Sequence, residues 1–253
     1  MDLYFKESGT QGRPVILFIH GIGAGEWMWT YQSEAFSDYH CIAVDLPEHG
    51  KSREIQWISL EDTGDKIARI IEERATDQTV HLVGLSLGGN VVMEMLLKHL
   101  SLADSAFVSG IAVSPVTNRF AINLQARMQA WSMGKMRNNE SRLNKVGRDY
   151  YKLNDSLNEV FKENVRQMNI ETYKEIVREV FKLEVDDKFQ HVTVPVKVLA
   201  GSRESRAIRN SVTAFPKVMP NAEGKIIDDE VHAWNIINPY KFNVELRNWL
   251  DRA

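Results

Sequence analysis

Five residues, Gly84-Leu85-Ser86-Leu87-Gly88, constrain this chain more than any others because of what flanks them. The apolar run His81-Leu82-Val83 precedes them with strand character, and Asn90-Val91-Val92-Met93 starts a helix after them. A serine on so sharp a strand-to-helix turn takes a strained backbone conformation, and the residues two before and two after it have almost no room for side chains. Glycine stands at both positions. The motif therefore demands a strand–turn–helix unit within a layered α/β protein, with the serine hydroxyl presented at a strand's carboxyl end.

The rest of the chain agrees with that demand. Short β-branched runs at 3–7, 15–19, 41–44, 80–83, 106–113, 194–200 and 225–227 alternate with longer amphipathic ones, the pattern of a mostly parallel sheet covered by helices. Ser59-Leu60-Glu61-Asp62 reads as a capping box opening a helix that buries Ile67, Ile70 and Ile71. Phe242, Leu246, Trp249 and Leu250 mark the buried face of the last helix. From 115 to 192 the alternation stops, which predicts an all-helical insertion. There Phe120, Leu124, Met128 and Trp131 fall on one helical face, expected to cover something apolar. Because a strand follows, the insertion is read as a lid, giving a core of 1–114 and 193–253 and a cap of 115–192.

Charge and cysteine usage remove several function classes. The 31 Lys+Arg against 34 Asp+Glu leave a formal charge of -3, which gives no long-range pull toward nucleic acid or an anionic membrane. The single Cys41 excludes an internal disulfide and a Cys-rich metal site, and its apolar neighbours Ile42, Ala43 and Val44 make it a core thiol. No apolar run approaches the roughly 18 residues of a membrane span. A cytoplasmic protein without nucleic-acid or membrane partners is expected.

A second glycine-rich segment, His20-Gly21-Ile22-Gly23-Ala24-Gly25, follows the strand run at 15–19. Exposed amides on such a loop can bind the oxyanion of a tetrahedral intermediate, with the N–H groups of Ile22 and Leu87 as the two donors. By itself the loop is equally a phosphate cradle or a plain turn. It lacks the lysine of a P-loop and the glycine-to-acid spacing of a dinucleotide site.

Taken together, these segments resemble the α/β-hydrolase family over nearly the whole chain, most closely small carboxylesterases with a helical lid. His20-Gly21 with Trp27-Met28-Trp29 is similar to the family's oxyanion loop, Asp45-Leu46-Pro47-Glu48-His49-Gly50-Lys51-Ser52 to its D-L-P-G-H-G-x-S segment, and 84–89 to its nucleophile elbow. Glu48 departs from the family's glycine. The resemblance implies a parallel sheet flanked by helices, with the cap inserted after the sixth strand, and a Ser86 nucleophile served by a histidine and a carboxylate in that chain order. His232, between the last strand run and the last helix, occupies the family's base position, whereas His20, His49 and His81 belong to the three motif regions. Glu204 stands where the family more often has aspartate, with Asp228 and Asp229 as competitors. Trp27, Met28, Leu85, Met128, Trp131 and Trp234 are expected to line an acyl pocket, and the basic lid suggests anionic substrates.

These residues lead to a cofactor-free, metal-free serine esterase acting on a small-molecule ester of short to medium chain. Two alternatives stay open: a C–C hydrolase or hydroxynitrile-lyase-like enzyme on the same triad, and a ligand-binding receptor on this scaffold.

Overall fold

The computed structural model describes residues 2–113 and 119–252. The β-branched runs pair into one seven-stranded sheet: β1 (Phe5–Gly9), β2 (Val15–Ile19), β3 (His40–Val44), β4 (Val80–Leu85), β5 (Ser105–Ser109), β6 (Val196–Gly201) and β7 (Ala222–Ile227). Their spatial order is β1-β3-β2-β4-β5-β6-β7, with β1 antiparallel to β3 and every other pair parallel. Strands β2 to β6 are buried along their whole length, which is why they read as continuous apolar runs. Chain direction across the sheet reverses between β2 and β4, and the crevice at their carboxyl ends is where such sheets bind ligands.

Helices α1 (Thr30–Ala35), α2 (Leu60–Arg74) and α3 (Leu87–Lys98) connect the first strands. Ser59 caps α2 as its sequence predicts, its hydroxyl accepting from the Asp62 N–H at 3.0 Å. Between β5 and β6 the described residues hold four α-helices, α4 (Arg119–Arg137), α5 (Glu140–Asn144), α6 (Asp155–Gln167) and α7 (Ile170–Val180), with a π-helical turn at Lys145–Tyr150 and a 3-10 turn at Asp187–His191. Then come α8 (Arg206–Arg209), α9 (Ser211–Val218), α10 (Trp234–Ile237) and α11 (Pro239–Leu250).

Three expectations change. The helical insertion follows the fifth strand, not a sixth, because only one antiparallel strand precedes the parallel set. The fifth strand stops at Ser109 rather than 113, since Gly110 turns into the left-handed region at φ 73° and leaves the sheet. The face of α4 bearing Phe120, Leu124, Met128 and Trp131 is exposed, at 76%, 50%, 64% and 64%. The buried stripe is Ile122, Ala126, Ala130 and Met133, on the opposite side of the helix. Helix α4 packs against α7, and its buried stripe carries two alanines, small enough to allow close helix approach. Where the expected insertion begins, at 115, lies outside the described residues.

Candidate active site

Each site segment leaves the carboxyl end of a parallel strand. After β4, Ser86 adopts φ 57° and ψ -117°, and its N–H donates to Ser109 O at 2.8 Å. A Cβ on Gly84 would lie 2.5 Å from Gly88 O, and one on Gly88 would lie 2.0 Å from Ile19 O. Both glycines are therefore obligatory. Leu87 opens α3, so its N–H has no acceptor within the helix, and the helix N-terminus favours negative charge beside Ser86.

After β2, Gly21 approaches Ser86 closely enough that a Cβ on it would lie 3.5 Å from Ser86 Cβ. The Ile22 N–H meets no protein acceptor among the described residues. His20 stitches this loop to the next segment. Its Nδ1 donates to Gly21 O at 2.7 Å and its Nε2 accepts from the Leu46 N–H at 3.0 Å, a pattern only the neutral ring can satisfy. Burial pushes His20 down to about 4 and its ring neighbour His49 to about 3.

Glu48, the departure from the family's segment, takes the left-handed φ of 59° that a glycine would adopt without strain. Its N–H donates to Ile55 O at 3.0 Å and its Oε1 accepts from the Trp57 N–H at 3.3 Å, so backbone and side chain together hold the turn.

Beyond the insertion, Glu204 follows β6 and His232 follows β7. His232 Nδ1 lies 2.5 Å from Glu204 Oε1, and the second carboxylate oxygen accepts from the Gly201 N–H at 2.6 Å. The Glu204 side chain is 1% exposed and that of His232 is 40% exposed, so the carboxylate is sequestered while the imidazole faces open space. Gly110 is pressed against this pair: a Cβ on it would lie 2.8 Å from His232 Cε1. Asp228 and Asp229 are exposed, and Asp229 pairs with Arg203 instead. Another variant of the family carries the acid at the end of the preceding strand, but 114–118, which lie outside the described residues, contain neither Asp nor Glu.

Ser86 and His232 line a single cavity of about 370 Å3, although no hydrogen bond joins the serine hydroxyl to the ring. Ile22, Trp27, Met28 and Leu85 enter it from the strand-end loops, and Gln129, Met133, Met136, Tyr151, Phe161 and Tyr173 from the insertion. Burial pushes the Tyr151 phenol up to about 12 and raises Tyr173 as well, so both are neutral donors. Neither Arg, Lys, Asp nor Glu lines this cavity among the described residues.

Three residues expected in the pocket stand elsewhere. Met128 and Trp131 are on the exposed side of α4, turned away by the burial of its alanine stripe. Trp234 is fully buried behind His232, its indole Nε1–H donating to Ser109 Oγ at 2.9 Å. Sequence reasoning missed Gly110, Gln129, Met133 and the two tyrosines. The one signal available for Met133 was its place in the alternative apolar stripe of α4.

A doubly wound sheet with a strained serine elbow at its switch point defines a class of α/β enzymes. The chain belongs to the alpha/beta hydrolase fold family, whose model matches residues 14–223. It is 34% identical over 103 residues to the 2-succinyl-6-hydroxy-2,4-cyclohexadiene-1-carboxylate synthase of Escherichia coli O139:H28, covering 40% of each chain. The chain spans less than half the length of the curated relatives it matches. Among solved structures, MenH from S. aureus aligns with a TM-score of 0.77 at 18% identity, covering 99% of this chain and 98% of that one. A thermophilic esterase from Thermogutta terrifontis aligns with a TM-score of 0.75 at 20% identity, covering 99% and 93%. At these identities the structural likeness concerns the fold.

Proposed function

We propose that this chain is a cofactor-independent serine hydrolase for neutral carboxylic esters of short to medium chain. Ser86 attacks the carbonyl carbon, His232 takes the hydroxyl proton and later returns it to the leaving alcohol, and Glu204 holds the imidazole in orientation. The Ile22 and Leu87 amides receive the oxyanion. Water then attacks the acyl-enzyme by the same route in reverse and releases the acid. Residues 115–192 act as a cap over the core of 1–114 and 193–253. The protein works in the cytoplasm on a small-molecule substrate.

The observation that carries this reading is the 2.5 Å His232–Glu204 contact, with the ring opening onto the same apolar cavity as Ser86. The serine–imidazole hydrogen bond forms as substrate fills that cavity, since such contacts are commonly long in free enzymes. The uncharged lining favours a neutral substrate and sets aside the anionic preference suggested by the basic insertion.

A second reading follows from the curated relatives, whose name describes formation of a cyclohexadiene carboxylate. It is the weaker one, because a carboxylate buried in this cavity would find no cationic side chain among the described lining residues. Hydrolysis of a p-nitrophenyl ester series, from acetate to long acyl chains, by wild type and Ser86→Ala tests the proposal. Multiple turnover that falls by roughly 10^4-fold or more in the variant is expected. Failure of folded wild type to turn over any ester would overturn the reading.

A further inference from the structure

We propose that α4 docks on an anionic lipid bilayer, its outward face lying in the headgroup region. The helix carries two apolar stripes, of which the inward one is buried and the outward one is not. Leu124, Met128 and Trp131 form the outward stripe, each at least half exposed. Helical geometry places Arg127 and Lys135 beside them, and Lys135 Nζ lies 4.3 Å from the centre of the Trp131 ring. None of the 19 residues of α4 is acidic.

Single exposed apolar side chains are ordinary on protein surfaces. Three in one row, with a tryptophan among them and Arg and Lys beside them, have the composition of a helix that lies in a membrane interface. Arg127 and Lys135 beside the stripe, on a helix without an acidic residue, give a local attraction to anionic lipid that the whole chain's formal charge of -3 does not give at long range. A second copy of the chain is disfavoured as occupant, since two α4 helices would oppose like charges. No helix among the described residues is long and apolar enough to cross a membrane, and lying on a surface requires none. The inner side of the same helix supplies Gln129 and Met133 to the cavity wall, so the bilayer would lie about one helix diameter, ~10 Å, from the substrate. The proposal rests on the α4 surface alone and is independent of the esterase reading.

Cosedimentation of the full chain with vesicles of phosphatidylcholine, with and without roughly 30% phosphatidylglycerol, tests it at about 50 and 500 mM salt. Binding to the anionic vesicles is expected, at least about tenfold tighter than to the neutral ones and weakened at high salt. Leu124→Ser with Trp131→Ser, and separately Arg127→Glu with Lys135→Glu, should each weaken it by about tenfold or more, with the thermal midpoint nearly unchanged. No binding to anionic vesicles, or equal binding by both folded variants, would overturn the proposal. So would a wild-type dimer that the same substitutions dissociate.

Discussion

The strand-end loops and the helices between β5 and β6 face each other across one cavity, yet their positions are specified in different ways. In the loops the backbone itself is the constraint. Gly84, Gly88 and Gly110 stand where a Cβ would come within 2.8 Å of another atom, and Ser86 is held by its N–H bond to Ser109 O. In the helices the constraint is which side chains meet, and α4 offers two apolar stripes for one buried position. The chemistry is thus built where sequence change is least tolerated, and the cavity wall where it is tolerated most. Substitutions in the two regions should differ in kind: loss of rate in the loops, altered substrate preference in the helices.

The largest effect should follow from Glu204→Gln. The isosteric amide keeps the packing but removes the charge that stabilises the imidazolium, and kcat should fall about 10^3-fold, roughly 4 kcal/mol of barrier, with KM within a few-fold. Asp228→Asn, at an exposed position, should leave the rate near wild type. The reverse result in steady-state kinetics would move the acid to the loop after β7 and break the proposed assignment.

Acid should expose a second property of the loops. His20 and His49 are held neutral by burial, at about 4 and about 3, against a usual 6.5. The unfolded chain therefore takes up these protons first, so stability declines as pH falls below about 6.5, until about 4 for His20 and about 3 for His49. For His20 alone the loss at pH 5 amounts to about 2 kcal/mol, and His49 adds to it in the same direction. Protonating His20 would also put an N–H against the Leu46 N–H it now accepts from. Thermal midpoints measured from pH 7.5 to 5 should drop steadily; a flat profile would contradict neutral burial of this pair.

What the sequence disclosed follows the same division. The strand–turn–helix setting of 84–88, the position of His20-Gly21 at a strand end and the Ser59 cap were legible because each is a backbone requirement written in one or two residue types. The end of the fifth strand was not legible. Ile111, Ala112 and Val113 continue the β-like pattern, and what ends the strand is Gly110 packing against residues more than 90 positions away. The pocket face of α4 was illegible for a related reason: size pointed to Phe120, Leu124, Met128 and Trp131, whereas the helix buries the smaller Ala126 and Ala130 on its other side.

Gly110→Ala probes that hidden contact. The new methyl would lie 2.8 Å from His232 Cε1 and 3.0 Å from Nδ1, at a positive φ that alanine adopts only with strain. The ring should be displaced before the sheet is, so kcat should fall about 10- to 100-fold while destabilisation stays near 1–2 kcal/mol. Destabilisation with an intact rate would mean that the imidazole accommodates the methyl and that the loop is less constrained than the geometry implies.

The smallest effect should come from the cavity wall. Met133 enters the pocket from the buried side of α4, and its methyl group approaches Gly23, a Cβ on which would lie 3.3 Å away. Met133→Ala removes three heavy atoms from one side of the cavity without touching Ser86, His232 or Glu204. Methionine is an adaptable space-filler, so neighbouring Met136 can take up part of the room. The expected result is a shift of the preferred acyl chain toward longer esters, with kcat/KM changing by about 3- to 10-fold and in opposite directions for short and long chains. A uniform fall in kcat across the ester series would show instead that α4 positions the catalytic groups, and the division between loops and helices would then fail.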